Sequence, residues 1–168
     1  PLYHLKNLTK QKRLNRNLAK KKKGSNGRKR AKLQLAKLHI KTANQRRDYF
    51  HKLSNLLAKN YDNIFIEDLN MKAMQMMWGR KISDLAFSEF VNILEHKAKV
   101  TKLDRFFPSS KTCSNCGTVK KDLDLKDRTY ICDTCNFEID RDLNASINIK
   151  RVGTSTLAGE VVRAISVA

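Results

Sequence analysis

Four cysteines, the full complement of the chain, stand as Cys113-x-x-Cys116 and Cys132-x-x-Cys135 with fifteen residues between the pairs. Each Cys-x-x-Cys turns tightly enough to aim two thiolates at one point, and two such knuckles complete a tetrahedral four-thiolate shell around Zn2+. Two disulfides are the alternative, but these belong to oxidising compartments, and the first residues carry no apolar signal segment. With sulfur at all four positions no site stays open for water or substrate, so the expected zinc is structural. Tyr130, Ile131 and Phe137 are expected to pack beside the knuckles, with metal binding replacing the core that so short a loop cannot build.

The charge of the chain is strongly asymmetric. Of its formal +19, residues 1–60 carry nineteen Lys or Arg against one acid, Asp48, while residues 61–168 are nearly neutral. A solvated face normally interleaves both signs, and this one does not. A basic arm of this kind predicts a polyanionic partner, nucleic acid above all, held through its phosphates. No apolar run approaches the length of a membrane span. No Trp or Tyr ladder runs among the lysines of residues 5–48, which points to backbone contact rather than base stacking.

The arm reads as a helical hairpin. Leu5, Leu8, Leu14 and Leu18 recur at near-helical spacing, Lys20-Lys21-Lys22-Lys23 lead into Gly24-Ser25-Asn26-Gly27, and a second run passes through Leu35, Leu38, Ala43, Phe50, Leu53 and Leu57. The second helix, from about Arg28 to Lys59, pairs antiparallel with the first, the leucines forming the seam and the bases the outer face. Next, Asn63-Ile64-Phe65-Ile66-Glu67-Asp68-Leu69-Asn70 reads as a buried strand ending in two acids. Met71, Met74, Met76, Met77 and Trp78 suggest a flexible apolar connector. Ser83 is a candidate cap for a helix with Ile82, Ala86, Phe90, Ile93, Leu94 and Ala98 on one face. Residues 100–107 read as a further strand stopped by Pro108. The tail after Gly153 has no strong pattern and is left unassigned, and His4, His39, His51 and His96 receive no role.

A carboxylate at the carboxyl end of a buried strand stands where open α/β sheets place their chemistry. Because neighbouring side chains on a strand face opposite ways, Glu67 and Asp68 cannot share one site. A second set of acids opens the helix Asp140-Arg141-Asp142-Leu143-Asn144-Ala145-Ser146-Ile147-Asn148-Ile149, whose Leu143 and Ile147 lie one turn apart. Either Asp140 or Asp142 suffices as a plain N-cap, stabilising by about 1 kcal/mol. That leaves one acid and two asparagines beside the strand-end acid unexplained. Two-metal nucleases hold Mg2+ ions about 4 Å apart on carboxylates from several elements, and Mg2+ keeps several waters, so few acids are needed.

Taken in order, Ile66-Glu67-Asp68-Leu69-Asn70, a helix, Phe106-Phe107-Pro108-Ser109-Ser110, the two cysteine pairs and Asp140-Arg141-Asp142-x-Asn144-Ala145-x-x-Asn148-Ile149 closely resemble the carboxyl-terminal half of TnpB, the OrfB-type protein of bacterial insertion sequences. That family is related to the type V CRISPR effector nucleases, and the resemblance spans roughly residues 5–150. It implies an α/β fold, a partial RNase H-like (RuvC) domain with a basic helical hairpin and an inserted four-cysteine zinc ribbon. The implied divisions are 1–60 for the hairpin, 61–108 for a RuvC-like strand-helix-strand, 109–138 for the ribbon, 139–152 for the final helix and 153–168 for a tail. By motif position Glu67 and Asp142 are implied as the second and third catalytic carboxylates, with Asp68 and Asp140 as supporting residues.

The resemblance further implies RNA-guided, Mg2+-dependent cleavage of DNA by a transposase-associated protein of prokaryotic cytoplasm and nucleoid, with DNA and guide RNA as partners. The arm residues Lys12, Arg13, Arg16, Lys20, Lys21, Lys22, Lys23, Arg28, Lys29 and Arg30 are expected to touch nucleic acid. The family's first catalytic aspartate lies upstream of the hairpin, so the expectation is a partial site, completed by upstream strands or a partner polypeptide and inactive alone. Asp48 sits within the basic helix, and Asp62, five extended residues before Glu67, lies about 16 Å from it, so neither replaces that aspartate. The alternative reading is a non-catalytic zinc-ribbon protein that binds nucleic acid.

Overall fold

A computed structural model of the chain describes residues 3–79, 82, 85–124 and 126–166. It divides into two units, Pro1–Asp62 with Asn70–Ala98 and Asn63–Leu69 with Lys99–Ala168.

The first unit begins with α1 (Tyr3–Ala19) and α2 (Asn26–Asn60). The turn between them is built from its own sequence. Gly24 takes φ +83°, a left-handed backbone that costs glycine little. Ser25 caps α2 by accepting from Arg28 N at 3.2 Å while its hydroxyl donates to Lys22 O at 2.8 Å. Arg28 Nη1 donates to the carbonyl of Leu18 in the last turn of α1 and to that of Lys21 in the connecting turn, tying the two together. Ala31 and Leu38 are buried in the seam, and Asn7 Nδ2 donates across it to Thr42 Oγ1 at 3.3 Å. The pairing of 28 with 18 and 42 with 7 makes the hairpin antiparallel, as its leucine spacing predicts. Ala43, expected in the seam, is exposed. Thr42 stands four residues after Leu38, where the helical repeat returns to the same face, and occupies that place instead.

Met71–Trp78 forms a short helix, α3, rather than a flexible connector, because the Asn70 side chain accepts from Ala73 N at 3.1 Å. Helix α4 (Phe87–Glu95) packs on α2, with the Phe90 and Phe50 rings 5.5 Å apart and Glu89 paired with Arg46 and Arg47. The Ser83 cap lies outside the described residues.

In the second unit β1 (Asn63–Glu67) and β2 (Lys99–Leu103) pair in parallel, with Asn63 opposite Lys99 and Glu67 opposite Leu103. Parallel strands need a long connection, and residues 71–95 supply it in sequence. Strand β1 is half-buried rather than covered on both faces. Strand β2 stops at Leu103, short of the expected 107, because Asp104 Oδ1 accepts from Phe106 N at 2.6 Å and its carbonyl from Phe107 N at 3.2 Å. Aspartate side chains compete for backbone donors in this way and turn a strand out of its ladder. Strands β3 (Thr129–Ile131) and β4 (Glu138–Asp140) form a small antiparallel hairpin.

The last helix, α5, runs from Arg141 to Ser166 and continues through the residues read as an unassigned tail. It packs on β1 and β2, and Gly153 is the point of closest approach. A Cβ built there would lie 2.6 Å from Phe65 Cε1 and nearer still to the rest of that ring edge. Replacing Gly153 by Ala gains about 1 kcal/mol of helix propensity but overpacks a site with no room, at typically 1–3 kcal/mol or more. We therefore expect Gly153→Ala to lower unfolding stability by about 1–2 kcal/mol, read from denaturant midpoints, and Phe65→Leu to recover part of that loss.

Candidate metal centre and carboxylate edge

The two cysteine knuckles are built alike. Gly117 N donates to Cys113 O at 2.9 Å and Asn136 N to Cys132 O at 3.0 Å, and both Gly117 (φ +79°) and Asn136 (φ +55°) are left-handed. The second cysteine of each pair is thus followed by one of the two residues that enter this conformation most easily. Cys113 N and Cys132 N donate onward to Thr118 O and Phe137 O, which closes each knuckle. Tyr130 is fully buried beside Cys113 and Cys132, with Leu123, Phe137 and Ile139 packed around them. Ile131, expected there, is 48 % exposed, since alternation along β3 turns it away from Tyr130.

The four sulfurs lie within 4.8 Å of one another, with Cys113 to Cys135 at 3.7 Å and Cys116 to Cys132 at 3.6 Å. A disulfide needs about 2.05 Å. A tetrahedral shell with Zn–S near 2.3 Å has sulfurs about 3.8 Å apart. The cluster therefore fits a four-thiolate metal shell and not a pair of disulfides. Hydrogen bonds from the Thr118 side chain and backbone hold the Cys116 thiol down to about 6, whereas burial pushes Cys113 up to about 11. A metal ion must displace the Cys113 proton to bind. Loss of that proton is favoured as pH rises, so metal affinity is expected to climb from pH 6 to pH 8, which competition with a chelator across that range measures.

At the carboxyl end of β1 the two acids part company. The half-buried Glu67 accepts a hydrogen bond at 2.5 Å from the hydroxyl of Ser109, which is itself 5 % exposed. Asp68 is bound to Arg105, whose Nη2 reaches its Oδ2 at 2.6 Å while Nε donates to its carbonyl. At the start of α5, Asp140 Oδ1 accepts from the backbone N–H groups of Asp142 and Leu143, each at 2.9 Å. Asp140 is the cap, and Asp142 stands in the first turn with its side chain 77 % exposed beside Arg141. Capping thus accounts for Asp140 and leaves Asp142 free of that duty.

The residues that sequence reasoning undervalued are asparagines. Asn144 and Asn148 are 0 % and 2 % exposed, while Leu143 and Ile147 are turned outward at 53 % and 37 %. The buried face of α5 is polar here because it must answer backbone groups of the loop before the ribbon. Asn144 Nδ2 and Asn148 Nδ2 both donate to Thr112 O, at 2.7 and 2.6 Å, Asn148 also donates to Ser109 O at 2.9 Å, and Asn144 Oδ1 accepts from Ser114 N at 2.9 Å. Arg151 adds a bond to Ser114 O at 2.7 Å. The 144, 148, 151 spacing is one helix face, and it was the available signal.

On the arm, Lys12, Arg13, Arg16, Lys20, Lys21, Lys22, Lys23, Lys29 and Arg30 are exposed. Arg28 differs, since its guanidinium is engaged inside the turn.

Residues 2–77 match the OrfB family of the IS605 group, described as "Probable transposase", and residues 87–149 match the "Cas12f1-like, TNB domain". Among curated proteins, a "Putative RNA-guided DNA endonuclease" of Streptomyces pristinaespiralis is 38 % identical over 156 residues, covering 88 % of this chain and 39 % of that protein. InsQ of Escherichia coli K12, with the same description, is 30 % identical and covers 94 % and 45 %. TnpB-like protein L79 of Acanthamoeba polyphaga mimivirus is 33 % identical, covering 71 % and 25 %. A chain from a cryo-EM structure of a Cas12f1–sgRNA–target DNA complex matches the fold with a TM-score of 0.59 at 20 % identity, over 88 % of this chain and 41 % of that one. The present chain spans between a quarter and a half of the length of these proteins. Two adjoining family matches and the curated relatives support a TnpB-type protein, with a fold shared with the Cas12f1 chain.

Proposed function

We propose that this chain is the carboxyl-terminal part of a RuvC-like, RNA-guided DNA endonuclease, contributing Glu67 and Asp142 to a Mg2+ site whose further carboxylate comes from upstream sequence or a partner polypeptide. The observation that carries the reading is the division of labour among the four acids. Asp68 is held by Arg105 and Asp140 is spent on the helix cap, while Glu67 closes a parallel strand and Asp142 projects from the first turn of α5. Bound Mg2+ would supply charge stabilisation for phosphodiester hydrolysis and lower the pKa of an attacking water. In this reading Glu67 and Asp142 bind the ion, Ser109 orients Glu67, and the arm holds DNA or guide RNA by its phosphates.

The cysteine cluster is read as a structural zinc site, because thiolates at all four positions leave none open. The test is Mg2+-dependent DNA cleavage by the chain joined to the upstream region of a relative and supplied with guide RNA. Cleavage is expected to be abolished by Glu67→Gln or Asp142→Asn and only moderated by Asp68→Asn or Asp140→Asn. A completed enzyme indifferent to Glu67→Gln leaves the arm and ribbon as a non-catalytic nucleic-acid-binding protein.

A further inference from the structure

The bonds between the ribbon and Glu67 run without a break. Cys113 ends the loop Pro108–Thr112, and within that loop Lys111 N and Thr112 N donate to Pro108 O at 3.1 and 3.0 Å, with Thr112 Oγ1 on the same carbonyl at 2.8 Å. The loop is therefore a single hydrogen-bonded turn. Asn148 holds it at Ser109 O and Thr112 O, Asn144 holds it at Thr112 O and reaches past Cys113 to Ser114 N. At the other end the Ser109 hydroxyl donates to Glu67 Oε1. Four side chains of this network are nearly solvent-free, Ser109, Ser114, Asn144 and Asn148 at 5, 7, 0 and 2 % exposure, while Lys111 and Thr112 are half-buried. A buried network whose members are all satisfied is stiff and specifies one arrangement.

We propose that Ser109 is the positioning residue for Glu67 and that the metal-loaded ribbon fixes Ser109, so that the state of the thiolate cluster sets the orientation of the strand-end carboxylate. The hydroxyl can donate only one hydrogen, and placing it on Oε1 fixes that oxygen while the carboxylate keeps lone pairs for a cation. Partners that orient a ligating carboxylate typically govern metal affinity by about 10–100-fold. The metal-binding part of this inference rests on the nuclease reading of Glu67. The coupling of the ribbon to the carboxylate does not.

The experiment is carbon-detected NMR of the Glu67 carboxyl in the zinc-loaded chain, its resonance assigned by its loss in Glu67→Gln. Ser109→Ala is expected to move that resonance, and Ser109→Thr, which keeps the hydroxyl, to return it towards the original position. Extracting the ribbon metal is expected to move it in the wild-type chain and to leave it nearly unmoved in Ser109→Ala, where the link is already cut. The d–d spectrum of a Co2+-substituted ribbon, unchanged between wild type and Ser109→Ala, checks that the knuckles survive the substitution; Ser109→Gly serves if they do not. A Glu67 resonance indifferent to Ser109→Ala, or to metal extraction from the wild-type chain, overturns the inference. The same samples titrated with Mn2+ separate the two ideas. If Glu67→Gln leaves Mn2+ binding intact, the nuclease reading falls while the carboxyl result still stands; if it abolishes binding but Ser109→Ala costs less than about threefold, against the tenfold or more expected, positioning for the metal falls alone.

Discussion

Stripping metal from the cysteine cluster is expected to unfold the ribbon outright. Its strands are three residues each, and among its described residues the fully buried ones are Cys113, Tyr130 and Cys132. One tyrosine and two thiols are too small a core to offset the conformational entropy lost in ordering the ribbon. In closed four-thiolate sites the free energy of metal binding is coupled to folding and supplies what so small a core cannot. A chelator, or Cys132→Ser, should therefore expose Tyr130 and make residues 112–139 susceptible to protease. The helical signal of α1 and α2 should persist, since neither helix holds a ligand. One tightly held Zn2+ per chain after dialysis is the matching positive result. A ribbon still protected without metal would mean that its few packed side chains suffice.

The second large effect is expected from salt. Nine of the ten arm residues singled out from the sequence are exposed on or beside the hairpin turn and α1, and residues 1–60 carry a single acid. Each phosphate neutralised by a basic side chain releases counterions, so log affinity falls by about 0.9 per contact per decade of salt on duplex DNA. If six contacts form, affinity drops about a thousandfold between 50 and 200 mM salt. Replacing Lys20, Lys21, Lys22 and Lys23 by Gln should shallow the slope by up to about 3.6 and weaken binding to all sequences alike. Arg28→Gln should behave differently. Its guanidinium caps α1, so the substitution should cost hairpin stability more than it changes the slope. An unchanged slope in the lysine variant would reduce the arm to a solvated surface.

What could be read in advance was local. The hairpin turn announces itself in Gly24-Ser25, and the two knuckles in Cys116-Gly117 and Cys135-Asn136, because left-handed backbone and capping are decided within four residues. The parallel strands were legible from their apolar runs, though not where β2 ends, since Asp104 diverts its backbone. The least legible feature was the inward face of α5. Apolar periodicity favours Leu143 and Ile147, yet Asn144 and Asn148 are buried because they answer carbonyls more than thirty residues away in sequence. No local pattern carries that demand. The same holds for Gly153, whose lack of a side chain is explained only by the Phe65 ring that crosses it. No helix among the described residues is long and apolar enough to cross a membrane, in keeping with the charge pattern.

The account stands or falls on whether Glu67 and Asp142 bind one divalent cation site. Titrating Mn2+ into the zinc-loaded chain and following paramagnetic broadening of backbone resonances addresses this without requiring cleavage. Broadening is expected to be centred on residues 66–68 and 141–143 together, to be relieved by Mg2+, and to disappear from both segments in either Glu67→Gln or Asp142→Asn. Broadening confined to one segment, or surviving both substitutions, would contradict a shared site and return the two acids to solubility and helix-terminus roles.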